Sequence, residues 1–332
     1  MENYQPFSPE VWQGRVDDSR DPEAFRLHQV IRGVDLTRPG PVQEDKKHNF
    51  CFLGFCSDLG IQRNRGREGA ARAPDFIRRQ LANLPRLFTE RVALYDAGDI
   101  VARGDSLQNM QEALTTAVSR ILSLGWFPLV LGGGHEVAWG HYLGIDRFWK
   151  PKRLGIINLD AHFDLRPYER SGPSSGTMFL QIADYCRMQN REFHYLCLGI
   201  QEHANTLRLF KKAVELGVQY LPAKEMVKKN RQDLMRLTNT FIDRVDRVYL
   251  TLCSDVFSSA FAPGVSASQP LGLHPEMVLD LVKAVAGSGK LISFDIAEIS
   301  PRFDSDNQTA KLGALVIFAL INTLIGSEKL SG

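Results

Sequence analysis

The chain has 332 residues, 44% of them hydrophobic and 23% charged, with a formal net charge of +2. That length suits one large α/β domain or two modest ones, and the near-neutral charge excludes a strong field for nucleic acid or an anionic membrane. The five cysteines (Cys51, Cys56, Cys186, Cys197 and Cys253) form no CxxC pair, and three lie in apolar runs, as expected of reduced, buried thiols rather than a disulfide framework.

Residues 1–48 are polar, with scattered proline and charge, and read as an extended arm carrying one short helix around Pro22 to Arg32. The N-terminus lacks a basic segment followed by an apolar one, so no secretory signal is expected. The basic stretch Arg63 to Arg67 is followed by Glu68 and reads as a solvated face. From Asn49 onward short apolar runs alternate with amphipathic stretches. The runs are Phe50–Cys56, Val92–Asp96, Phe127–Leu131, Leu154–Leu159, Phe193–Leu198, Val248–Cys253 and Leu291–Ile296. Helices are expected at Ser106–Leu124, Val137–Trp149, Thr177–Met188, Glu225–Val245, Pro275–Ala286 and Thr309–Leu324. Continuous rather than alternating apolar strands, separated by helices, indicate a parallel sheet buried on both faces. No composition break follows residue 49, so residues 49–332 are expected to form a single doubly wound α/β domain. The apolar stretch Leu312 to Gly326 is shorter than the ~20 residues a membrane span needs and reads as a buried helix.

In such a sheet, ligands collect beyond the carboxyl ends of the strands. Four runs deliver polar residues there: Leu131 leads into Gly-Gly-Gly-His135, Leu159 into Asp160-Ala-His162-Phe-Asp164, Leu252 into Cys253-Ser-Asp255, and Phe294 into Asp295-Ile-Ala-Glu298. In Asp160-Ala-His162-Phe-Asp164, alternate side chains share one face of an extended segment, so three potential ligands converge. Buried carboxylates at that spacing need a cation. The competing reading is a loop salt-bridged by Arg166 and Arg170. The glycines before His135 permit a tight turn and close backbone approach. Imidazole and carboxylate together suit Mn²⁺, Fe²⁺ or Zn²⁺, and the carboxylate excess leans towards Mn²⁺. Six candidate ligands (His135, Asp160, His162, Asp164, Cys253 and Asp255) are too many for one catalytic ion and fit a pair roughly 3.5–4 Å apart. No Gly-x-Ser-x-Gly elbow, P-loop lysine motif or GxGxxG supports another mechanism.

These motifs, together with Gly69-Ala-Ala-Arg-Ala-Pro74, Ile77-Arg78, Asp96-Ala-Gly98-Asp99 and Ala262-Pro263-Gly264, resemble the arginase/agmatinase/formimidoylglutamase family, the ureohydrolases. The resemblance implies a three-layer α/β/α sandwich around a mainly parallel, eight-stranded sheet, and hydroxide bridging two manganese ions. It implies that His135 and Asp164 bind one metal, His162 and Asp255 the other, and that Asp160 bridges. Glu298 and Asp160 are the implied catalytic residues, Glu298 meeting the substrate's amidine; a strand-end acid capping the next turn is the alternative for Glu298. The family usually has a second bridging aspartate where this chain has Cys253. A thiolate there would shift preference towards softer ions, whereas a merely buried thiol would leave one metal weak. Arg166 stands where arginases carry a smaller amide, and a guanidinium suits a bidentate carboxylate contact. With Ser174-Ser175-Gly176-Thr177-Met178-Phe179 and Asn64, it resembles the formimidoylglutamase branch. The implied substrate is N-formimidoyl-L-glutamate, bound by Arg166, Glu298 and Asn205 and cleaved to glutamate and formamide. That is a cytoplasmic step of histidine degradation, often run by homo-oligomers. The rivals are a guanidino-acid or agmatine hydrolase, a weakly catalytic metal-binding protein and a zinc deacetylase-like enzyme.

Overall fold

The computed structural model describes residues 2–38, 46–104 and 106–326; the remainder of the expected arm and of the C-terminal stretch lies outside them. Among the described residues ten strands form one sheet: β1 (Tyr4–Gln5), β2 (Ile31–Gly33), β3 (His48–Cys56), β4 (Val92–Val101), β5 (Phe127–Leu131), β6 (Leu154–Leu159), β7 (His194–Ile200), β8 (Gln219–Pro222), β9 (Arg247–Cys253) and β10 (Leu291–Ala297). The order is β1-β4-β3-β5-β10-β9-β6-β7-β8, with β2 also on β4. Strands β3 to β10 are parallel and match the eight-stranded sheet that the resemblance implies, seven of them at the apolar runs and β8 besides. The two further strands come from the N-terminal residues. β1 runs antiparallel to β4 at Ile100 and Asp99, and β2 parallel to it at Leu94 to Asp96.

Alternating side chains of each strand feed two cores. Phe50, Phe52, Leu129, Leu131, Ile157 and Leu250 face one way, against the helices Ala73–Ala82, Arg231–Asp243, Pro275–Ala286 and Gln308–Leu324. Cys51, Leu53, Phe55, Val130, Ile156 and Tyr249 face the other, against Leu107–Ser123, Val137–Trp149 and Met178–Met188. The result is three layers, α/β/α. The apolar C-terminal helix is buried through Val316, Ile317, Leu320 and Ile321. No helix among the described residues is long and apolar enough to cross a membrane. All five cysteines are free.

Three local expectations change. The long helix expected at Glu225–Val245 is two, Ala223–Met226 and Arg231–Asp243, because the Asn230 side chain accepts the Asp233 N–H at 2.9 Å and starts a new helix. The short helix expected near Pro22 is a pair of 3-10 turns, Pro22–Ala24 and Leu27–Gln29, leading into β2. Helices Ala73–Ala82 and Leu207–Glu215 and the edge strand β8 were not expected.

One buried ion cluster fixes the N-terminal residues to the sheet. Arg78, 1% exposed, donates to Asp96 at 2.7 and 3.0 Å, to Asp99 at 2.6 Å and to the Gly98 carbonyl at 2.8 Å. The Trp12 indole N–H donates to the same Asp96 carboxylate at 2.6 Å. Gly98 has φ +81°, and a Cβ there would sit 2.2 Å from the Gln5 carbonyl, so only glycine lets β1 lie on this edge.

Candidate active site

Strands β5, β10, β9 and β6 are consecutive in the sheet, so their four polar carboxyl-terminal segments meet side by side. Register aligns Cys253 with Ala297 and Leu159 with Leu252, one residue before Asp160. The turn after β5 depends on glycine: a Cβ on Gly133 would sit 2.1 Å from the Ser57 carbonyl. The adjacent Gly134 N–H donates to that carbonyl at 3.0 Å. This close passage points His135 across the sheet edge.

There, His135 Nδ1 lies 3.0 Å from Asp160 Oδ2 and 3.1 Å from Asp164 Oδ2. His162 Nδ1 lies 3.1 Å from Asp255 Oδ2 and 3.5 Å from Asp160 Oδ1. Potential ligand atoms of His135, Asp160 and Cys253 lie within 4.8 Å of one another, as do those of Asp160, His162 and Asp255. Asp160 is common to both groups, and Asp164 joins the first through His135. All six expected ligands therefore converge. Arg166 and Arg170 form no ion pair with these acids among the described residues, so the salt-bridged-loop reading of this segment fails. Asp164 at φ +50° and Glu298 at φ +67° occupy a region non-glycine residues seldom adopt, as strained residues at functional sites do.

The buried charges of the cluster shift one another. Burial alone would lower the His135 and His162 pKa values, but hydrogen bonds and charge from Asp160, Asp164 and Asp255 outweigh it and raise both well above the usual imidazole range. Asp160 is buried, yet the two imidazoles hold it well below the usual carboxylate range. Burial and the Asp160 charge push Asp164 up to about 6. Burial also raises the Cys253 thiol, with the surrounding carboxylates adding to it.

Glu298 faces the cluster from β10. Its Oε1 accepts the His135 backbone N–H at 2.8 Å, and its own N–H donates to the Gly133 carbonyl at 2.8 Å. The Ser266 hydroxyl donates to Oε2. Burial pushes its carboxyl up to about 8. A cavity of about 290 Å³ opens over these groups, lined among others by Glu298, Asp164, Arg166, Asn205 and Arg65. Arg166 is exposed; its backbone N–H donates to the Gly176 carbonyl at 2.8 Å, and its guanidinium has no hydrogen-bond or ion-pair partner among the described residues. Asn205 lines the cavity, but its amide holds the loop after β6: it accepts the Phe163 N–H at 3.1 Å and donates to the Ala161 and Gln201 carbonyls at 2.9 Å each. The Arg63 to Arg67 stretch is solvated apart from the half-buried Asn64, but it is more than a solvated face, since Asn64, Arg65, Gly66 and Arg67 also line the cavity.

Sequence reading overlooked the groups beneath the ligands. His135 Nε2 lies 2.9 Å from the Thr251 hydroxyl, which donates to Asp295 at 2.6 Å, and Tyr249 and His141 meet the other Asp295 oxygen. Asn158 donates to Asp160 at 3.0 Å. Such contacts set the ring orientation and tautomer of ligands. Thr251 and Tyr249 gave no signal because they look like ordinary strand residues; Asp295 stood in a quoted motif without a role.

Residues 48–322 match the model of the Arginase family. The chain is 49% identical over 326 residues to a formimidoylglutamase of Clostridium tetani, covering 97% of this chain and 96% of that one. It is 43% identical over 324 residues to a formimidoylglutamase of Legionella pneumophila, covering 97% and 98%. Among solved structures, formimidoylglutamase from Bacillus subtilis superposes with a TM-score of 0.79 at 22% identity, covering 94% of this chain and 95% of that one. A Trypanosoma cruzi formiminoglutamase variant with Mn²⁺ gives 0.76 at 24% identity, covering 85% and 94%. At that identity the structural matches speak for the fold, and the sequence match for kinship: the chain belongs to the arginase family.

Proposed function

We propose that this chain hydrolyses N-formimidoyl-L-glutamate to L-glutamate and formamide. The observation that carries the reading is one cavity bounded by the His135–Asp255 cluster, by Glu298 and by the unpartnered Arg166. Formimidoylglutamases related at 43–49% identity over nearly the whole chain support it.

The donor set fits a pair of divalent ions. Imidazoles and carboxylates, all but His162 buried, surround a shared Asp160 within ligand distance of one another. We assign His135, Asp160, Asp164 and Cys253 to one manganese ion, and Asp160, His162 and Asp255 to the other. When bound, the ions supply Lewis acidity and an activated water for attack on the formimidoyl carbon. Glu298 pairs with the substrate amidinium in a charge-assisted contact, and each of its oxygens keeps a second lone pair beyond the bonds to His135 and Ser266. Arg166 holds a substrate carboxylate. Asn205 acts on the ligand loop through backbone contacts and on the substrate as part of the cavity wall. Water adds to the amidine carbon, the bond from that carbon to the glutamate nitrogen breaks, and the proton passes to the departing amine. By the family resemblance, the reading extends to a cytoplasmic homo-oligomer acting in histidine degradation, with residues 49–332 as its catalytic domain.

The test offers manganese-loaded protein N-formimidoyl-L-glutamate, arginine and agmatine in parallel. Turnover of the first alone is expected. Urea from either of the others, or no turnover of any, overturns the reading.

A further inference from the structure

The loop that carries Arg65 breaks a local backbone rule. Helix Leu59–Arg63 ends in a Schellman motif: the Gly66 N–H donates to the Ile61 carbonyl at 2.8 Å and the Arg65 N–H to the Gln62 carbonyl at 2.9 Å. The residue at the left-handed position of this motif is normally glycine. Here it is Arg65, at φ +59°, with glycine displaced one place to Gly66. A long side chain stands where the backbone favours none, and strain of this kind collects at ligand clamps.

The position has a use. Arg65 and Arg166 both line the cavity, both are exposed, and neither guanidinium has a partner among the described residues. Arg67, by contrast, is held by the Val265 and Ser266 carbonyls at 2.6 and 3.0 Å and lies over the Phe303 ring at 4.2 Å. That anchorage ties the loop to the segment whose Ser266 hydroxyl reaches Glu298. On its other side the loop meets the Arg166 segment. Asn64 donates to the Ser175 hydroxyl at 3.3 Å, and a Cβ on Gly176 would meet Arg166 Cδ at 2.8 Å and Asn64 Nδ2 at 3.1 Å. Two free guanidiniums thus stand on adjoining segments of one cavity whose floor is anionic.

We infer that Arg65 is a specificity-determining residue, binding one of two carboxylates of a dicarboxylate amidine while Arg166 binds the other. The inference rests on the amidine-hydrolase reading and sharpens it: a single guanidinium would accept any amidino acid, whereas two select a dicarboxylate. Arginine does this better than lysine because its planar fork matches a carboxylate.

Strain and binding pull in opposite directions at this residue, which makes the test selective. Arg65→Gly relieves the backbone, so the melting temperature holds or rises. KM for N-formimidoyl-L-glutamate rises by about 10-fold or more, the scale of one charge-assisted contact, while kcat moves far less. On the two analogues that each lack one carboxylate, N-formimidoyl-4-aminobutyrate and N-formimidoyl-2-aminobutyrate, the rise persists for one and vanishes for the other. An equal rise on all three, no rise on any, or a lowered melting temperature with kcat and KM failing together overturns the inference. If wild-type protein hydrolyses none of these amidines, the functional reading falls, and binding decides Arg65 separately. Titrated with L-glutamate and with 4- and 2-aminobutyrate, wild type then prefers glutamate and Arg65→Gly loses the preference; an unchanged preference overturns the inference.

Discussion

In the proposed reading, Glu298 and Arg166 divide recognition of the substrate between a buried carboxyl and an exposed guanidinium. Glu298 is 4% exposed and held by two donors, so its cost of ordering is met before substrate arrives. Arg166 is free and must order on binding. Arg166→Ala is accordingly expected to raise KM about 10- to 100-fold, the worth of a charge-assisted hydrogen bond, with melting temperature unchanged; an unchanged KM would remove it from the site. Ser266→Ala deprives Glu298 of one donor, and a fall in kcat/KM with little loss of stability is expected from steady-state kinetics. By the family resemblance, Cys253 stands where a second bridging aspartate is usual. Its neighbours His135 and Asp160 are placed for a cation, and a carboxylate is a harder ligand than sulfur. Cys253→Asp should therefore tighten manganese binding, measured by calorimetric titration, and keep or raise manganese-supported activity. Loss of binding in a folded variant would show that the thiol has a specific role.

At the scale of elements, the site exists because four adjacent strands end together. The alternation of apolar runs with helices made that order of elements legible, and the glycine run, Asp160-Ala-His162-Phe-Asp164 and Asp295-Ile-Ala-Glu298 marked where the strands stop. Contacts across the sheet edge were not legible. β1 and β2 are too short for any hydrophobic period, and they exist only because β4 offers an edge. The same holds for Arg78, which sits on a helix as any surface arginine could but is buried against Asp96 and Asp99. In the site, ligands announce themselves by spacing, whereas Thr251 and Arg65 act through position alone. Removing Arg78 leaves two acids without their cationic partner, one of them wholly buried. Arg78→Met should cost about 3–5 kcal/mol in denaturant unfolding, and the double change with Asp96→Leu should recover part of it. A loss below about 1 kcal/mol would contradict this role.

For the whole molecule, cation and protons compete for the same lone pairs. The raised imidazole pKa values of His135 and His162 stabilise the metal-free fold below their unfolded value and lose that stabilisation as pH rises through the folded one. The raised carboxyls of Asp164, at about 6, and Glu298, at about 8, act in the same direction, since each favours the protonated fold. Asp160 acts oppositely, but its lowered value places that change in acid. The metal-free protein is thus expected to lose stability as pH rises, first as Asp164 ionises, up to about 6, then as Glu298 ionises, up to about 8, and as the imidazoles give up their protons, which manganese displaces. Saturating Mn²⁺ should raise the melting temperature more at pH 8 than at pH 6; an equal or smaller increment at pH 8 would contradict the assigned ligands.

The most direct measurement follows the fate of the formimidoyl carbon by NMR, with manganese-loaded protein and N-formimidoyl-L-glutamate labelled at that carbon. Attack there with departure of the amino-acid nitrogen predicts labelled formamide and L-glutamate appearing in equal amounts, with no labelled amino-acid product. Labelled N-formylglutamate with ammonia, or a substrate signal that does not change, would contradict the account.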